Sequence, residues 1–210
     1  MLVRVESGKL VQVQPRFTRT LGSCADPRPA LRIALAILIS TAATPIVMAQ
    51  TLKTVNIEAQ RAAMKKLSFL IGEWSGTASA VRGPGIVLEL QQTEVAQYKL
   101  DGLVLMIEGV GRTAADSKPS LQALGLISFD DAAGVYRMRA FNDGRWLETE
   151  VKLLDDGKSL TWGFSFGEIR TKSLLRINEK GEWTEHAEYT LGSAAPQRLM
   201  DLVVRRVGPK

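Results

Sequence analysis

Leu67-Ser68-Phe69-Leu70-Ile71-Gly72-Glu73-Trp74-Ser75-Gly76 joins a short helical pattern to about 130 residues of turn-punctuated, alternating sequence. A Gly-x-Trp-x-Gly enters the first strand here, with a Phe-Leu pair just upstream. Trp74 is suited to close one end of a barrel, while Gly72 and Gly76 let the backbone turn and approach closely where a Cβ would clash.

Working upstream, Asn56 to Leu67 is the helix candidate. Asn56 can cap it, Glu58 favours the positive N-terminal end, and Ala59, Ala62, Ala63, Met64 and Leu67 form an apolar stripe. This helix is expected to plug or flank one barrel mouth. Downstream, period-two patterning predicts ten strands: 73–82, 86–100, 103–112, 121–129, 135–142, 145–154, 159–166, 168–177, 182–191 and 197–207. Asp101-Gly102, Asp143-Gly144, Asp156-Gly157 and Lys180-Gly181 supply the positive φ of tight hairpins, and Asp130 to Gly134 makes a longer reversal. A meander without helical crossovers removes its sheet edges by closing on itself. The expected fold is therefore all-β, an up-and-down antiparallel barrel of about ten strands with one short N-terminal helix. A two-sheet sandwich is the structural alternative.

On the Gly-x-Trp-x-Gly and its Phe-Leu pair, the chain resembles lipocalin-like (calycin) barrels, most closely the bacterial nitrobindin-like and FLxGxWxG families, over roughly residues 60 to 207. Nitrobindins hold haem through a histidine near the chain's end. The last strand here, Gln197 to Val207, has none, so that ligand does not transfer. His186, the only histidine, lies one strand earlier on a polar face, and Met200 is a weak substitute. No cofactor is expected.

The segment before Gln50 reads as a leader. Arg28 and Arg32 precede an apolar run from Ile33 to Ser40, and Val47-Met48-Ala49 offers a small-residue cleavage site, so export to the periplasm or beyond is expected, with cleavage after Ala49. Pro45, Ser40 and Thr41 keep the apolar run short of the ~20 residues of a spanning helix, so no stable membrane anchor is expected. Residues 1–27 lack periodic pattern and read as an upstream-extended start; Leu21-Gly22-Ser23-Cys24 resembles a lipoprotein box without the apolar stretch it needs.

Removing the leader changes the charge. Of 27 Lys and Arg, six precede residue 50, against Glu6 and Asp26 among 22 acids, which leaves 21 basic and 20 acidic residues from Gln50 onward. A net charge of +1 with no basic stripe excludes a nucleic-acid partner. Cys24 is the only cysteine, so the domain from residue 50 to 210 has no disulfide, thiolate nucleophile or cysteine metal site. One packed domain is expected, burying about 70% of the surface its unfolded chain exposes.

Alternation also says what faces the lumen. Leu160, Trp162, Phe164 and Phe166 share one face; Trp183, Glu185, Ala187, Tyr189 and Leu191 share another; and Ile86, Leu88, Leu90, Gln92, Glu94, Ala96, Tyr98 and Leu100 share a third. Two carboxylates thus point inward. Inward Glu94 and Glu185 require water, an arginine or a polar ligand group, unless they are satisfied structural groups. Arg137 and Arg139 could be partners, but their strand gives either face to the core. The four tryptophans are readable as packing or as a ligand cage.

Catalytic signals are sparse. A Ser-His-Asp arrangement would need His186, and there is no nucleophile elbow, zinc-binding His-Glu-x-x-His, calcium loop or phosphate loop; Gly109-Val110-Gly111 lacks a following helix. The reading is an exported barrel binding a small apolar or amphipathic ligand, with cavity-lining candidates Trp74, Gln92, Glu94, Tyr98, Trp162, Phe164, Glu185 and Tyr189. Binding calls for a connected void of roughly 300 Å³. An enzyme using the inward carboxylates, or an interaction barrel with a filled lumen, are the alternatives.

Overall fold

A computed structural model describes residues 54–83, 85–115 and 118–208. The leader, its cleavage after Ala49 and Cys24 lie outside the described residues. Helix α1 spans Ile57–Lys65, and a 3-10 turn follows at Ser68–Leu70. The strands are β1 (Gly72–Gly83), β2 (Ile86–Lys99), β3 (Val104–Thr113), β4 (Pro119–Asp130), β5 (Val135–Asn142), β6 (Arg145–Leu153), β7 (Ser159–Trp162), β8 (Ser165–Phe166), β9 (Ile169–Ile177), β10 (Trp183–Leu191) and β11 (Gln197–Val207).

Every pairing is antiparallel, mostly between chain neighbours. β7 and β8 are two segments of one strand, since both pair with β9. β1 pairs with both β2 and β11, and β9 also pairs with β10, so the sheet closes on itself as a ten-stranded barrel plus one short helix. The sandwich alternative is set aside by that closure. Turn chemistry makes the hairpins: Asp143 and Gly144 hold φ of 49° and 74°, the paired positive values of a tight reversal.

The Gly-x-Trp-x-Gly stretch works through close approach. Gly72 has φ of 130°, and a Cβ on Gly76 would sit 2.2 Å from the Val203 carbonyl oxygen, so β1 and β11 can close only around a bare backbone there. Between these glycines Trp74 is buried and donates its indole N–H to the Leu70 carbonyl at 2.8 Å. Its ring meets Trp183 edge to face at 5.6 Å, and the Arg206 guanidinium lies 4.2 Å above it.

Helix α1 closes this end. The Asn56 side chain accepts from the Ala59 N–H, which caps the helix as the sequence suggests. Ala63, Met64 and Leu67 are buried, whereas Ala62 is exposed, so the stripe is narrower than expected. Two tyrosine hydroxyls from the barrel wall hold the plug, Tyr98 donating to the Met64 carbonyl and Tyr136 to that of Ala63, each at 2.7 Å.

One strand departs from the alternation. The expected strand 159–166 breaks at Gly163 and Phe164, where a Cβ on Gly163 would lie 2.2 Å from the Thr171 carbonyl oxygen and the Thr149 hydroxyl donates to the Gly163 carbonyl at 2.6 Å. Beyond the break Phe166 is 69% exposed rather than interior. Ile86 at the start of β2, Leu100 just past its end and Leu191 at the end of β10, expected inward as well, are 57%, 72% and 53% exposed. Register shifts at Val81/Gly83, Gly111/Arg112 and Ala187/Glu188 all fall toward the end away from the helix, as bulges at barrel rims do.

Candidate ligand-binding cavity

Below the plug, Leu105, Ile127, Leu160 and Leu175 fill the lumen with fully buried side chains. Toward the open mouth the inward residues become small: Gly109, Ala123, Gly125, Ala140 and Ala187. That change of size leaves a cavity of about 170 Å³ that reaches the mouth at Asn142, Arg145 and Trp146. It is smaller than the expected void of roughly 300 Å³. The tryptophans and leucines occupy the rest.

The polar part of the wall comes from β2 and β10. Gln92 and Glu94 stand opposite Gly111 and Gly109 of β3, and each glycine makes room for its partner. A Cβ on Gly109 would lie 2.7 Å from Glu94 Oε2, and one on Gly111 2.6 Å from Gln92 Oε1. Gly109-Val110-Gly111, without meaning as a nucleotide loop, is the cradle for two lumen side chains. Gln92 is fully buried, and its amide donates to Glu94 Oε1 at 2.7 Å, while its own oxygen finds no partner. The Trp183 indole N–H, another buried cavity-wall group, is also without a partner.

Glu94 is 7% exposed, and burial pushes its pKa up to about 7 against the opposing hydrogen bond from Gln92. Glu185 rises to about 8, first through burial and then through the negative charge of Glu94. The two strands thus bring both acids into one electrostatic unit. Arg137 and Arg139 are not their partners, because both face outward and pair with Asp130 and Glu150, and with Glu148. Tyr136 and Met138 take the inner face of β5.

Of the eight residues singled out from the sequence, Gln92, Glu94, Trp162, Phe164 and Glu185 line this cavity. Trp74, Tyr98 and Tyr189 do not. The first two face inward at the plugged end and are spent on carbonyls of the plug, and the Tyr189 hydroxyl donates to Gln197 Oε1 at 2.6 Å on the exposed rim. Sequence reasoning passed over the small wall residues, whose only signal is glycine or alanine at inward positions of β3, β4 and β5.

His186 sits outside the barrel, exposed, with its ring nitrogens 2.5 Å from Asp201 and 3.2 Å from Glu188. Those carboxylates hold its pKa above the usual value. Among the described residues the cavity wall has neither histidine nor cysteine, and a space near that of a single ring is far below a porphyrin, so these residues do not fit haem. Among the described residues no group of three or more His, Cys, Asp or Glu is arranged to hold a metal ion.

No protein-family model matches the chain, and no curated protein matches it either. Among solved structures it is similar to Rv2717c from M. tuberculosis, with a TM-score of 0.52 and 17% identity over 70% of this chain and 98% of that one. At that identity the likeness is one of fold alone, that of an antiparallel barrel.

Proposed function

We propose that this chain is an exported binding protein of the nitrobindin-like and FLxGxWxG kind that holds a small, largely apolar molecule inside its barrel. The observation that carries this reading is the cavity of about 170 Å³, apolar over most of its wall, with a polar corner at Gln92, Glu94 and Glu185. The volume sets the size of the ligand. A cavity of about 150 Å³ lined by aliphatic side chains accepts benzene, so the occupant is about one ring with a short substituent and not a long-chain lipid.

Thermal melts of the full chain with single-ring compounds test the binding. A ligand at 100 times its Kd stabilises the folded state by about 2.7 kcal/mol, and a panel that leaves the melting temperature unmoved throughout removes the reading. Native mass spectrometry of protein recovered from the periplasm tests export and occupancy together: a chain beginning at Gln50 with a retained small molecule is the expected result. A second reading, acid/base catalysis, is favoured by the two interacting carboxyls, since a group titrating near neutrality suits proton transfer.

A further inference from the structure

We propose that the ligand of this cavity carries a protonated amine, seated between Glu94 and Glu185, on a body of about one aromatic ring. This rests on the binding reading above and narrows it to a chemical class.

The hydrogen-bonding inventory of the polar corner is lopsided. With both acids ionised, Glu94 and Glu185 bring four carboxylate oxygens, of which the Gln92 amide engages one, and the Gln92 carbonyl adds a buried acceptor with no partner. Against these stand the remaining Gln92 N–H and the single indole N–H of Trp183. A buried acceptor left without a donor is destabilising, so the corner calls for a donor-rich guest. An alkylammonium supplies three donors and a positive charge.

Nothing described in the wall supplies that charge. Trp74 and Gly109 flank Glu94, and Leu175 and Leu202 flank Glu185, none of them ionisable at neutral pH. Arg206, beyond Trp74, gives its guanidinium N–H groups to the Phe69 and Ile71 carbonyls. Arg145 is exposed at the mouth and is the only basic residue of the wall among the described residues.

Other occupants fit less well. A carboxylate or phosphate would meet two acids. A hard metal ion takes about six or more oxygens, mostly from several carboxylates, and among the described residues no group of three or more His, Cys, Asp or Glu is arranged to hold one. A primary amine needs only the corner, and its ring fills the apolar remainder. A hydroxyl or ether oxygen on the same molecule would meet the Trp183 indole N–H.

Calorimetric titration of the full chain at pH 8 with benzylamine, benzyl alcohol, toluene and benzoate tests this. Benzylamine is expected to bind at least about tenfold more tightly than benzyl alcohol, with benzoate weakest. Glu94→Gln and Glu185→Gln each keep the side-chain shape, and each should erase most of that preference. Melting curves show that the variants fold. Should one not fold, the unsubstituted protein gives the same answer, because the preference should shrink at pH 5, where the acids are protonated and the amine is not affected.

Equal affinity for benzylamine and benzyl alcohol, or a preference that survives in the double variant, overturns the amine assignment. Toluene binding without amine preference leaves the cavity reading standing and removes only the amine. Failure of all four compounds to bind removes both.

Discussion

Glu94 and Glu185 tie stability to pH in the sense opposite to that of an ordinary ion-paired carboxylate. Their folded pKa values, about 7 and about 8, exceed the usual 4.5, so the folded chain holds protons that the unfolded chain has released. This contribution is complete below pH 4.5 and fades as pH rises through 7 and 8, on the order of 3 kcal/mol for Glu94 alone. Urea melts should show a more stable protein at pH 5.5 than at 8.5, and Glu94→Gln/Glu185→Gln should flatten most of that slope and be the more stable chain at pH 8.5. His186 contributes in the same direction from the surface, being held protonated by Asp201 and Glu188, and persists in the double variant as a residual slope. An unchanged slope would show that the two acids are not buried together. The opposing glycines give a second contrast at this scale. Gly111→Ala would press on both Gln92 and Leu90, at 2.6 and 2.8 Å, and should destabilise by about 1–3 kcal/mol. Gly109→Ala presses only on the Glu94 carboxyl, which can swing toward the cavity, so it should cost less stability and more ligand affinity. Inward acids were legible from alternation in the sequence, because a period of two assigns a face. It assigns no height along the barrel axis, which is why Trp74 and Tyr98, equally inward, belong to the plug.

Helix α1 is held at its start by Asp131, which accepts from the Asn56 N–H and the Gln60 amide, at its middle by Arg61 donating to Asp101, and at its end by two tyrosines. Tyr98 and Tyr136 reach from β2 and β5 to the carbonyls of Met64 and Ala63, in the last turn, where each carbonyl also accepts a backbone N–H, from Leu67 and Lys66 respectively. Tyr136→Phe should cost about 1 kcal/mol, and Tyr98→Phe/Tyr136→Phe about twice that. Hydrogen exchange should locate the loss in the amides of α1, with the strand amides protected as before; a uniform loss across the strands would mean that plug and barrel open together. Strand boundaries were readable here because each hairpin carries its own turn residues, Asp-Gly above all, and because inward and outward residues differ in polarity. Only the break between β7 and β8 escaped. Gly163 looks like any strand glycine in sequence, and its contact with the Thr171 carbonyl depends on a neighbouring strand. Hence Phe166, assigned to the lumen by counting twos, lies on the surface.

For the molecule as a whole, the lumen is unevenly filled, and the unevenness follows the barrel axis. The helix end is packed by Met64, Leu67, Leu70, Trp74 and Trp183, while the mouth half is walled by glycine and alanine. No residue count along the sequence revealed that gradient, since it arises only when strands of different register are brought to the same level. A void of 170 Å³ forgoes about 4 kcal/mol of packing relative to a filled core. Filling it would be easy. Gly125 faces the cavity, a Cβ added to it would meet nothing nearer than 3.9 Å, and a β-branched residue suits its strand. Gly125→Val should therefore raise the melting temperature, worth about 1 kcal/mol, while abolishing or sharply weakening the binding of toluene and benzylamine alike. Stability and occupancy moving in opposite directions is the signature of a cavity kept open for a guest. If Gly125→Val instead leaves binding intact, the guest sits elsewhere in the barrel; if it destabilises, the lumen at this level is already full, and the interaction-barrel alternative gains what the binding reading loses.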